Sequence, residues 1–234
     1  MNVAFAQVAG VPSRSFDDGV LPVLPPLRGL LPDGGLRRGS VVAAPRAGSL
    51  CLALAAGASA DGAWCAAVGM PDLGIVAAAE AGVHPGRLLL VPEPGTGWPQ
   101  VVAALLDGCE LVLVRPPGRP SADVRRRLSA HARRSGSVLV VAGEWESAQV
   151  RLREARRWWV GAGAGNGRLR GRQVQVIADG RGAAARPRAQ WCWLPAPDGP
   201  AALITGSRFT GPGEEADEDA GGVVPGLASS GGRH

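Results

Sequence analysis

Gly39-Ser-Val-Val-Ala-Ala-Pro-Arg-Ala-Gly-Ser-Leu-Cys-Leu-Ala-Leu54 runs from a β-type segment through a small-residue turn into an Ala/Leu-rich, helix-type segment. Strand, tight turn and helix in that order frame a phosphate-binding loop, GxxxxGK[ST]. In such a loop backbone N–H groups cradle phosphates, the lysine reaches the β- and γ-oxygens and the Ser/Thr hydroxyl holds Mg²⁺. Here Leu50 and Cys51 stand where the lysine and the hydroxyl belong. An aliphatic side chain cannot neutralise a triphosphate. The stretch therefore predicts a nucleotide-binding type of fold that has stopped using nucleotide, with no cofactor and no metal.

The rest of the composition separates what is particular to this stretch from what is general. All 25 basic residues are arginine, and tyrosine is also absent, as expected of a chain drawn from a GC-rich genome. Such drift exchanges lysine for arginine and leaves a cation in place, so it does not account for Leu50. An apolar content of 46% over 234 residues is ample for the core of one α/β domain with appendages. Met1–Val8 lacks a basic segment followed by a sustained apolar one, and no apolar run approaches a membrane span, so a cytoplasmic protein without a membrane partner is expected. Cys51, Cys65, Cys109 and Cys192 lie apart within apolar stretches, the pattern of buried free thiols. Three scattered histidines, His84, His131 and His234, suggest neither a zinc site nor a catalytic triad.

Residues 1–27, rich in turn formers, read as an N-terminal arm or linker. From there the pattern alternates. Strands are expected at Ser40–Ala44, Trp64–Val68, Arg87–Val91, Glu110–Val114 and Ser137–Val141, and helices at Leu50–Ala58, Leu73–Ala81, Trp98–Leu106 and Asp123–Ser135. Ser121 suits the N-cap of the last helix and Gly136 its C-terminal stop. Strands alternating with helices at this spacing predict a mostly parallel central sheet covered by helices on both faces. Beyond Gly143, Gln149–Trp158, Gln173–Ile177 and Gln190–Leu194 alternate with period two, which predicts antiparallel strands at the C-terminal edge; a helix over Ser147–Trp158 is the alternative for the first. Gly161–Gly167 reads as a flexible hairpin connection, because it opens no βαβ unit as a dinucleotide fingerprint must. The core is expected over 28–195, with 196–234 a disordered, acidic, Gly-rich tail.

Charge is divided along the chain. Arg119 to Arg188 holds sixteen arginines against five acids, a net +11, and Thr205 to His234 two arginines against five acids, a net −3. Arg151, Arg153, Arg156 and Arg157, with Trp159 beside them and Arg168, Arg170 and Arg172 beyond, form a candidate surface for nucleic acid or a protein partner. Guanidinium forks bind phosphate, and flat side chains stack on bases. Trp158, adjacent to Trp159, offers a second flat side chain for stacking, with a place in the core as the alternative, and Trp191 and Trp193 fall on one face of a strand.

The order of elements resembles the RecA recombinase core. Glu80–Leu90 is similar to the segment where a helix ends and a strand rises toward the nucleotide. Val124–Val141 and Val150–Arg156 resemble the elements around the DNA-binding loops, and Gln173–Arg188 resembles the final hairpin. That resemblance implies an α/β, RecA-like fold over roughly 28–195. It also implies a catalytic set of P-loop lysine, water-polarising glutamate and Mg²⁺-shell aspartate. The corresponding positions here are Leu50, Pro71 and Arg115, with Asp72 adjacent to the second. Each has lost its chemistry, so a pseudo-ATPase is expected. The connections Arg115–Ser121 and Gly143–Ser147 are also too short to thread single-stranded DNA as recombinase loops do.

A tighter resemblance, on Trp158–Arg172 and Gly180–Arg188, is to the RecA-like accessory proteins of bacterial mutagenesis cassettes, the ImuA type and its actinobacterial counterpart. It implies a role in the SOS response to DNA damage, in translesion synthesis. The implied partners are an inactive Y-family polymerase homologue and an error-prone DnaE-type polymerase complex, with single-stranded DNA as a further ligand. Two other readings stand beside this one: a SulA-like inhibitor of cell division, and an ATPase with an atypical P-loop.

Overall fold

A computed structural model describes residues 19–44, 48–163, 166–197 and 199–204 of the chain. In order, the elements are β1 (Val20–Leu21), α1 (Pro25–Arg28), β2 (Leu36–Arg37), β3 (Val41–Ala43), α2 (Gly48–Ala60), β4 (Cys65–Val68), α3 (Ile75–Glu80) and β5 (Leu88–Val91). They continue with α4 (Trp98–Gly108), β6 (Leu111–Val114), α5 (Ala122–Ser135), β7 (Val138–Val141), β8 (Val150–Gly163), β9 (Asn166–Gly180), β10 (Arg188–Trp193) and β11 (Ala202–Leu203).

Nine strands form one sheet in the order β11-β10-β9-β8-β3-β7-β6-β4-β5. From β5 to β8 neighbours run parallel, and from β8 to β11 antiparallel. This is the mostly parallel α/β sheet with an antiparallel edge that the hydrophobic pattern predicts. The four-residue strands β6 and β7 are buried on both faces because they are short, wholly apolar and central, as crossover helices require. On one face Val42, Leu113 and Val140 pack under α2 with Leu50 and Leu54. On the other Val41, Val112 and Leu139 meet Val102 and Leu106 of α4 and Leu128 and Ala132 of α5. The Ser121 hydroxyl accepts from Val124 N at 3.3 Å, and Gly136 takes φ +71°, so α5 starts and stops where its caps predict.

Three expectations need correction. The arm assigned to 1–27 is partly core: Leu21, Val23 and Leu27 are almost wholly buried. A Cβ on Gly57 of α2 would fall 2.4 Å from Val23 Cα, so only glycine lets this segment lie directly on the helix. Residues 1–18 lie outside the described residues. The tail assigned to 196–234 begins later, since β11 pairs with β10 and Ala196 bridges Gly199. Chain contacts place the boundary after Ile204, and Thr205–His234 lies outside the described residues. Coverage of the sheet is also incomplete. At the β5 edge Leu89 and Leu90 are exposed, and α3 exposes Ile75 and Val76. The alternating pattern over Gln149–Trp158 resolves as strand β8, not the alternative helix over Ser147–Trp158, and β8 pairs with β9 as a long hairpin. No helix among the described residues is long and apolar enough to cross a membrane.

Candidate functional site

The carboxyl end of β3 leads through residues 45–47, which lie outside the described residues, into the first turn of α2. A helix N-terminus presents unpaired N–H groups and favours anions, so this is where phosphate would sit. Leu50 and Cys51 are fully buried beneath it, and neither side chain reaches the opening. The polar group of the first turn is Ser49, which sequence reading passed over.

Two ion pairs stand around this turn. Arg115, at the end of β6, bonds the Asp72 carboxylate at 2.5 Å. Its guanidinium lies 3.9 Å from where a Cβ on Gly48 would be. Arg172 of β9 donates to both Glu154 oxygens, at 3.2 and 3.0 Å, to the Leu194 carbonyl at 2.8 Å and to the Ser49 hydroxyl. The Arg172 and Glu154 side chains are only 10% and 9% exposed, so this pair is desolvated and each partner depends on the other. Each cation carries its own carboxylate, and the four charges sum to zero. A triphosphate entering here would have to break pairs already made. The Arg115 hydrogen bond holds the Asp72 carboxyl below its usual range, so this acid stays ionised as Arg115's counterion. Pro71 is exposed and carries no chemistry.

Burial pushes the thiols of Cys51 and Cys65 up to about 12, and those of Cys109 and Cys192 to about 11. Since the thiolate is the nucleophile, a disulfide reagent at pH 8 is expected to titrate no thiol in the folded chain and all four after denaturation. The raised values favour folding fully below the ordinary thiol range, and that contribution is lost as pH rises through 9 toward 12.

The arginine cluster predicted from sequence does not form one track. Directly paired residues share a face of a sheet, and Ala43 pairs with Arg151, Arg153 with Ile177, Arg156 with Gln175 and Trp158 with Gln173. Arg151, Arg153, Arg156 and Trp158 therefore share the face that α4 and α5 cover further along the sheet. A bulge between Glu154 and Arg156 shifts the alternation and turns Arg157 and Trp159 to the other face, where Trp159 pairs with Arg172. Arg172, expected at the surface, is a buried structural residue. Trp159 is 52% exposed, with the Arg172 guanidinium carbon 5.6 Å from its ring centre. Arg170 is exposed, while the side chain of Arg168 lies outside the described residues. Trp158 is half-buried and lies 5.2 Å from Trp191 between ring centres. Asp179 sits 3.5 Å from Arg151 and 4.0 Å from Arg153, leaving that face net positive.

The connection Gly143–Ser147 is a plug. Trp145 is fully buried against α5 and donates its indole N–H to the Ser129 hydroxyl at 3.2 Å.

Residues 29–147 match the family described as MT3502 N-terminal domain. This chain belongs to that family. The matched segment holds α2, both members of the Arg115–Asp72 pair and the Trp145 plug, and stops before the arginine-bearing hairpin. The chain is also similar to the uncharacterized protein Rv3395c of Mycobacterium tuberculosis, at 38% identity over 150 residues, covering 62% of this chain and 68% of that protein.

Proposed function

We propose that this chain is a catalytically inert, RecA-fold adaptor of damage-induced mutagenesis, working in translesion synthesis with an inactive Y-family polymerase homologue and an error-prone DnaE-type polymerase. The observation that best supports an inert reading is the pair of arginine–carboxylate bridges, Arg115–Asp72 and Arg172–Glu154, at the α2 N-terminus. They occupy with internal charge the place where a P-loop protein receives phosphate and Mg²⁺. The sheet layout, with the first strand of the phosphate-loop frame central and antiparallel strands at one edge, supports the RecA reading. The similarity to a mycobacterial protein is consistent with an actinobacterial ImuA-type protein. The test is co-purification of the full chain with an inactive Y-family polymerase homologue from the same genome. A stable complex without ATP hydrolysis is the expected outcome; magnesium-dependent hydrolysis, or no complex at micromolar concentrations, removes the proposal.

Single-stranded DNA contact belongs, in this reading, to the face carrying Arg151, Arg153, Arg156 and Trp158. Affinity should then fall steeply with salt and depend little on sequence. Replacing Arg151 and Arg153 together by alanine is expected to flatten the slope of log K against log salt by about 1.4, two phosphate contacts at roughly 0.7 each for single strands. Fluorescence anisotropy across a salt series measures it, and an unchanged slope assigns the DNA elsewhere.

A further inference from the structure

At the opposite end of β3, where the strand begins, a cleft of about 510 Å³ is lined by the loop 31–40, Arg133 of α5, Gln149 and Val150 at the start of β8, and the turn 181–184 after β9. Leu36, Val42 and Val150 give it an apolar floor, while Arg37, Arg38, Arg133 and Arg181 stand around it against one acid, Asp33. The walls are held in place. Gln149 accepts the Val41 N–H at 2.7 Å through its side chain, and its carbonyl accepts the Arg181 N–H at 3.0 Å. Arg181 also donates through its guanidinium to the Glu146 carbonyl at 2.9 Å. Gly39, at φ +73°, brings the loop so close to α5 that a Cβ there would lie 3.1 Å from Arg133 Cα. That contact sets the Arg38 and Arg133 positions on either side of a tight backbone crossing.

Several arginines outside the cleft are matched with acids. Arg125 and Arg119 share Glu146, Arg126 and Arg127 share Asp123, and Arg172 takes Glu154. Of the arginines lining the cleft, Arg37, Arg133 and Arg181 form no salt bridge among the described residues. Several guanidinium groups converging on a concave, partly apolar space of this size meet a small polyanion better than a flat polymer surface. A single carboxylate ligand would leave most of the positive charge uncompensated.

We propose that this cleft is a binding site for a small ligand bearing two or more phosphates, such as a nucleoside diphosphate or triphosphate or the 5′-phosphorylated end of a strand, independent of the α2 end of the sheet and of any metal. The site lacks a general base and a metal-holding acid pair, so it binds without hydrolysis.

Calorimetry of the full chain with inorganic pyrophosphate in magnesium-free buffer containing a chelator tests it. Saturable binding is expected, weakened about a hundredfold or more by R133A with R181A, since the loss of each charge-assisted bond costs about tenfold or more. R126A with R127A removes the same charge from the exposed side of α5 and should leave the affinity unchanged. Arg37→Glu provides a second variant, on a different element, that should also abolish binding. Thermal melts confirm that each variant is folded. Competition by dATP against a 5′-phosphorylated and a 5′-hydroxyl oligonucleotide then separates free nucleotide from strand end. No saturable heat up to millimolar pyrophosphate, or equal weakening by the R126A/R127A control, overturns the proposal. Neither result bears on co-purification with the polymerase homologue.

Discussion

Glu154→Ala is expected to lower the unfolding free energy by about 3–5 kcal/mol, because it strands the buried Arg172 guanidinium without its counter-charge. The remaining partners of Arg172, the Leu194 carbonyl and the Ser49 hydroxyl, are neutral and cannot replace a bidentate carboxylate. The loss should not be specific to alanine. Glu154→Gln keeps the shape and one acceptor yet removes the charge, so it should recover only part of the difference. Replacing both partners at once, Glu154→Leu with Arg172→Met, should restore most of the stability, since an apolar pair of similar volume avoids the desolvation of two ions. Urea denaturation of the three variants measures this. Equal stability of Glu154→Ala and the unsubstituted chain would show that the pair is solvated in solution. It would also remove the argument that internal charge occupies the phosphate end of the sheet.

Trp145→Ala is expected to destabilise by about 3–5 kcal/mol through the cavity left beneath the β7–β8 connection. The indole is fully buried in the cluster that holds Leu128, Ala132 and Val141. Trp145→Phe keeps most of the volume and should cost less. Ser129→Ala isolates the hydrogen bond at about 1 kcal/mol. If Trp145→Ala unfolds at the same denaturant concentration as the parent, the connection is a mobile loop, and the case against a strand-threading DNA loop at this position falls with it. Thus both large predictions bear on the proposed function as well as on stability, because the proposal rests on Arg172–Glu154 and Trp145 being structural groups.

Most of the parallel half of this fold was legible in the chain. Short apolar runs such as Glu110–Val114 and Ser137–Val141 are too short for buried helices, and the Ser121 and Gly136 caps bound α5 to within a residue. Leu50 and Arg115 drew the proposal of an inert phosphate end for a local reason: under the P-loop reading, a lysine and a carboxylate are expected at these positions. The N-terminal segment was misread because proline and turn formers look like a linker, whereas burial of Leu21 and Val23 depends on a glycine over thirty residues later, Gly57. The arginine cluster was misread because period-two alternation gives faces only while the ladder is regular. One bulge after Glu154 sends half the cluster to the other side.

What the sequence alone determined is the layer plan: alternation of short apolar strands with helices leaves few ways to bury both. Only the tertiary structure decided that Glu154, Arg172 and Ser49 meet at the first turn of α2, across 123 residues between Ser49 and Arg172. It also decided that Arg37, Arg133 and Arg181, from three separate segments, face one cleft. Both outcomes follow from sheet order and register, which bring distant side chains within a few ångströms, and long-range pairing leaves no periodic trace in a single chain.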